Sequence, residues 1–138
     1  MTAKEYLRQY EKAEHRARRY REDYESESLL IDAIRSLSNN DGMPHGSGIS
    51  RPTEEKALRL VDKRLRLIDA EAEAVQIRQE LFDFIDRIDG VEGAILYEKY
   101  INLLTWEEVC CKVGYSWAQT HRYHRRALAI VAEKLGIE

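Results

Sequence analysis

The sequence predicts an all-α protein: a long, coiled-coil-like helical hairpin over residues 1–90, then a helix-turn-helix domain over 91–138. Three observations carry this. From Ala3 to about Leu37 the chain has no Gly or Pro and repeats apolar or aromatic residues every three or four positions, the period of a helix packed along one seam. A second stretch of the same kind comes after Pro52. Between Thr105 and Leu128, in TWEEVCCKVGYSWAQTHRYHRRAL, two capping-box spacings flank a single Gly, which is how two short helices and a tight turn are written.

The first seam runs Tyr6, Tyr10, Ala13, Ala17, Tyr20, Tyr24, Glu27, Ile31 and Ile34, roughly 50 Å of helix at 1.5 Å per residue. Glu27 is its one breach. Tyrosines in a seam bring hydroxyls that must reach water or a partner, so a shallow seat is expected. On the outer faces Arg8, Arg16, Arg18, Arg19 and Arg21 alternate with Glu11, Glu14, Glu22, Asp23 and Glu25, which favours a solvated ion-pair surface over a phosphate track.

Ser38 to Pro52 is the expected flexible linker, because Asn39, Asn40, Asp41, Gly42, Pro44, Gly46 and Gly48 favour turns and defeat helix. A phosphate cradle would need a strand before it and Gly-Lys-Ser/Thr after it, and neither is present. His45 has no second ligand at metal spacing.

Pro52, Thr53, Glu54 and Glu55 open the next helix in the order proline, cap, acidic first turn. Its seam is Leu58, Val61, Leu65, Ile68, Ala72 and Val75, continued less cleanly by Phe82 and Ile85 to an end near Asp89–Gly90. The two seam helices should pair antiparallel. Neither seam is wide, so a homodimer or higher homo-oligomer is expected. Val91 to Asn102, with Ile95, Leu96, Tyr100 and Ile101, is the helix expected to buttress the C-terminal pair of helices.

In the helix-turn-helix, Thr105 with Glu108 caps a short helix with Val109, Cys110 and Val113 inward, and Gly114 supplies the positive φ that ends it. Ser116 with Gln119 caps a second helix whose inner series is Thr120, Tyr123, Ala127, Leu128 and Val131. Trp117, Ala118, Gln119, His121, Arg122, Arg125 and Arg126 then form its outer face. Glutamine, histidine and arginine on the outer face of a second helix is the pattern of a DNA reader. Any two capped amphipathic helices share the outline, and a purely structural role stays open.

Net charge is −3, from 22 Lys and Arg against 25 Asp and Glu, which argues weakly against nucleic acid. Yet Lys112 to Glu138 carries five basic residues against two acidic ones, a local +3 that leaves −6 for the rest. Charge is therefore segregated toward the second helix. No apolar run approaches a membrane span and no basic-then-apolar leader is present. Adjacent Cys110 and Cys111 cannot build a disulfide framework and fit a reducing compartment, so a cytoplasmic protein without membrane partners is expected. His121 and His124 lie three apart, but no carboxylate or thiol completes a ligand set. No enzyme activity, cofactor or metal is expected.

The run AILYEKYINLLTWEEVCCKVGYSWAQTHRYHRRALAIVAEKL, Ala94 to Leu135, resembles region 4 of bacterial sigma factors, where a Leu-x-x-x-Tyr helix precedes a Thr/Ser-Trp-Glu-Glu helix and a Gly-Tyr-Ser recognition helix ending in Ala-Leu. The whole chain resembles, more closely, the small regulators of Gram-positive phages and prophages that control late genes, of the ArpU and RinA type. A similar GMP-x-G segment joins two long helices in those proteins, as DGMPHGSGISRP does here. Thr120 departs from the family's Val or Ile, and Cys110 from its Ala. The resemblance implies an activator of late packaging and morphogenesis genes in the host bacterial cell, binding double-stranded DNA and working with host RNA polymerase. In that role Gln119 suits adenine, Arg122 suits guanine, and Trp117 and His121 can touch base edges or sugar. Lys112, Arg125 and Arg126 lie nearer phosphates, the helix start at Thr105–Trp106 offers backbone N–H groups, and Ser116 caps the helix that enters the groove. The alternative is a protein-interaction module that grips RNA polymerase or a sigma factor without reading DNA.

Overall fold

A computed structural model describes residues 1–39 and 51–137, without the side chains of 38, 39 and 51–53. Its elements are α1 (Ala3–Leu7), α2 (Gln9–Asn39), α3 (Arg51–Asp86), α4 (Gly90–Leu96) running on into a π-turn (Tyr97–Ile101), α5 (Trp106–Val113) and α6 (Trp117–Leu135). The protein is all-α, and no described helix is long and apolar enough to cross a membrane. The expected linker at 38–52, with His45, lies outside the described residues except at its edges. The chain forms two compact units, residues 15–72 and residues 1–14 together with 73–138.

In the unit of residues 15–72, α2 and α3 run antiparallel. Arg21 reaches Glu71 at 3.0 Å, Lys63 reaches Asp23 at 3.1 Å and also Glu27, and Arg64 donates to the Tyr24 hydroxyl at 3.4 Å. The α2 seam faces its partner over most of its length, with Ala17 buried and Tyr20, Tyr24, Glu27 and Ile31 half-buried, while Ile34 at its end is 45% exposed. Glu27 is explained by its ion pair with Lys63, whose own pKa is raised by hydrogen bonds to Glu27 and Asp23.

The second seam is placed differently from the sequence expectation. Leu58, Leu65 and Ile68 point outward and Val61 borders a groove with Ile31 and Ile34, while α3 turns Leu60, Lys63, Leu67 and Ala70 toward α2. Among the described apolar side chains of this unit, Ala17, Leu67 and Ala70 alone are buried. Small residues at the contact let the helix surfaces approach, and the cross-helix ion pairs lie on the same side. Hydrophobic spacing alone picks out the more regular stripe, which is the outer one.

The other unit is built around α6, which packs against α1, α4 and α5. Thr2 caps α1 reciprocally: its hydroxyl accepts from the Glu5 N–H at 3.2 Å and its own N–H donates to the Glu5 carboxylate at 3.0 Å. The helix expected to run unbroken from Ala3 is interrupted at Arg8, with φ −83° and ψ 1°. Leu7, outside the expected seam, is thereby fully buried with Ala3 in a core shared with Leu81, Ile85, Ile88, Leu96, Tyr100, Ile101, Ala127 and Val131. Tyr6 stacks edge-on against Phe84 at 5.2 Å.

The buttress expected at 91–102 is α4 and its π-turn, where the Asn102 N–H donates to the Tyr97 carbonyl at 3.1 Å. An i→i+5 turn inserts one residue. The inner pair Ile95 and Leu96 is therefore succeeded, five positions on, by Tyr100 and Ile101, and all four are buried. Gly93 makes the turn into α4 possible, because a Cβ there would overlap the Ile88 carbonyl oxygen. Gly93→Ala is accordingly expected to cost about 3 kcal/mol, at the upper end for forcing one carbon into a packed site; urea unfolding of the two proteins measures it.

Candidate nucleic-acid interface

Both sequence-derived caps form. The Thr105 hydroxyl accepts from the Glu108 N–H at 3.3 Å and the Ser116 hydroxyl from the Gln119 N–H at 3.2 Å. Gly114 ends α5 in the left-handed region, at φ 76°. Each cap satisfies a donor that would otherwise be orphaned at a helix start, so the α5–turn–α6 geometry is set locally. Val109 is fully buried, Cys110 is half-buried and Cys111 is exposed.

On α6 the inner face holds Thr120, His124, Ala127 and Val131, all buried. Tyr123, expected there from the sequence, is half-buried instead, its ring 5.2 Å from Tyr115 and under the Arg126 guanidinium at 5.7 Å. His124 takes the inner position. Its spacing from Thr120, Ala127 and Val131 alternates four, three and four, a signal visible in the sequence but masked when histidine is read as a polar surface residue.

His124 sits at a junction of three elements. Its Nε2 lies 2.8 Å from the Tyr100 hydroxyl of the π-turn, and the Trp106 ring of α5 meets it edge-on at 4.6 Å. Lys99 lies 5.0 Å above Trp106 and donates to the Leu104 carbonyl at 3.1 Å. Burial first, then the nearby His121, Lys4 and Lys99, pushes His124 down to about 4. Burial pushes Tyr100 up to about 12. A neutral imidazole and a protonated phenol therefore share this hydrogen bond at neutral pH.

The expected contact residues fall into two groups. Trp106 and His121 are half-buried, and the His121 ring is wedged between Trp106 and Trp117 with both centroids 4.5 Å away. Much of their surface is spent on packing. Gln119 is half-buried beside the cap. Thr105, Lys112, Ser116, Arg122, Arg125 and Arg126 are exposed, as is Trp117, at 54%. The first turns of α6 thus present an indole and then a guanidinium row, while among the described residues no group of three or more His, Cys, Asp or Glu gathers to hold a metal. Exposed arginine and tryptophan on one helix supply the bidentate donors and flat apolar surface that nucleic acids and protein partners both accept.

Compared with protein-family models, with curated proteins and with solved structures, the chain matches none.

This packing sets two measurable outcomes. The folded value of His124 lies below its ordinary 6.5, so the unfolded chain takes up the proton first and stability falls as pH drops from 6.5 toward 4. At about 1.4 kcal/mol per unit, roughly 3–4 kcal/mol is at stake. Unfolding measured between pH 6.5 and 5 should show this slope, and His124→Gln should flatten it. Thr120 is fully buried and its hydroxyl has no hydrogen-bond partner among the described residues. Thr120→Val should then stabilise the fold by about 1 kcal/mol, the desolvation penalty of an unmet hydroxyl, read as a raised Tm.

Proposed function

We propose that the chain is a sequence-specific DNA-binding transcriptional regulator that lays α6 in the major groove. The observation that carries this is the exposed row of Arg122, Arg125 and Arg126 behind Trp117 on a helix capped at Ser116, within a stretch of net charge +3. Recognition helices read base edges with residues near their N-terminus and anchor to phosphates on either side. Arg122 is assigned to base readout, with Gln119 and Trp117 beside it. Arg125, Arg126 and Lys112 are assigned to phosphates. Together with the likeness to sigma region 4 and to phage late-gene regulators of the ArpU and RinA type, this supports an activator of phage late genes that works with host RNA polymerase in the bacterial cytoplasm. Exposed Trp117 and half-exposed Tyr115 favour a second reading, since such rings anchor protein interfaces: α6 grips RNA polymerase or a sigma factor and leaves DNA untouched.

Salt titrations on cognate and scrambled duplexes separate these. Arg122→Ala should cost about 1–3 kcal/mol on cognate DNA and flatten preference at one base pair. Arg126→Ala should weaken both duplexes alike and lower the salt slope by roughly one unit. If neither substitution changes DNA binding while circular dichroism shows the helices intact, the protein-partner reading replaces this one.

A further inference from the structure

Helix α3 is apolar on two opposite faces. Leu60, Leu67 and Ala70 lie toward α2, while Leu58, Leu65 and Ile68 lie outward and Val61 stands at the edge, bordering a groove with Ile31 and Ile34 of α2; these four are 50–70% exposed. At 3.6 residues per turn the two stripes are roughly 160° apart. A soluble helix with one partner needs one apolar stripe. The outer stripe has the alternating three-and-four spacing of a coiled-coil seam, with Leu58 and Leu65 as a positions and Val61 and Ile68 as d positions.

We propose that this outer face is a self-association surface, on which α3 of a second copy of the chain packs in parallel. Two features point to a second copy. A coiled-coil seam is filled by knobs of matching period, and α3 itself supplies that period. The flanks are also self-complementary in one direction. Arg64 precedes the core on one edge and Asp69 lies on the other five residues later, so parallel chains bring Arg64 of each copy to Asp69 of the other. Antiparallel chains set Asp62 against Asp69, and that repulsion offsets the Arg64–Glu71 attraction; Arg64, which donates to Tyr24 at 3.4 Å within its own chain, enters both orientations alike. This association is independent of what α6 binds.

Sedimentation of the full chain at tens of micromolar is expected to return a mass of two or more chains. Leu65→Glu with Ile68→Glu should convert it to monomer with unchanged helical circular dichroism, because both side chains are exposed in the single chain. Orientation is read in a Cys110→Ala, Cys111→Ala background: Leu65→Cys should crosslink to itself on mild oxidation, since parallel chains place equal a positions side by side. A monomeric wild-type protein, an assembly that survives the double glutamate substitution, or an assembly in which Leu65→Cys does not crosslink would overturn the proposal.

Discussion

The hydrogen bond between Tyr100 and His124 holds together the part of the molecule that carries α6. It joins the π-turn to the inner face of α6 at 2.8 Å, and Trp106 closes over it from α5. The imidazole must be neutral to lie there without a buried charge, and burial itself keeps it so. The core beside this junction is apolar, and apolar contacts have no direction of their own. The polar pair thus supplies the geometry that fixes how far α6 is rotated about its axis, and therefore which side chains it shows outward. His121 extends the same stack to Trp117, so the aromatic part of the exposed face is braced from inside, and Arg126 rests on the Tyr123 ring.

Local signals are legible in the sequence, and signals that depend on a partner are not. Both caps and Gly114 depend on residues within three or four positions of one another, and each stands where the spacing places it. The α2 seam and the buttress residues Ile95, Leu96, Tyr100 and Ile101 also face inward. Legibility ends where two patterns compete. On α3 the large aliphatic residues make the cleaner heptad, yet the contact with α2 uses Ala70, Leu67 and the Lys63 ion pairs, because apolar spacing says nothing about which of two stripes meets the neighbouring helix. The break at Arg8 is hidden for another reason. No Gly or Pro marks it, and it is maintained by the burial of Leu7 in a core assembled largely from the distant half of the sequence.

Charge is distributed in keeping with this division. The paired helices of residues 15–72 use their charges on each other, as in Arg21 with Glu71 and Lys63 with Asp23 and Glu27. Such half-exposed pairs contribute little stability individually, but they disfavour a slipped alignment, since a shift along the seam would leave Lys63 and Glu27 facing apolar neighbours. On α6 the guanidiniums of Arg122 and Arg125 point to solvent instead.

The core around α6 draws on residues far apart in the sequence, Ala3 and Leu7 on one side and Ala127 and Val131 on the other. During synthesis, α1 leaves the ribosome well before its docking site does. Its leucine finds its α3 and α4 neighbours before α6 exists, but closing the core requires a contact between α1 and α6. Contacts of such long range slow folding, and apolar surface left open in the meantime invites aggregation or chaperone capture. Maturation of this unit is thus tied to synthesis of α6, so a prematurely terminated product that lacks that helix leaves α1 only the part of its docking site that α3, α4 and the π-turn supply.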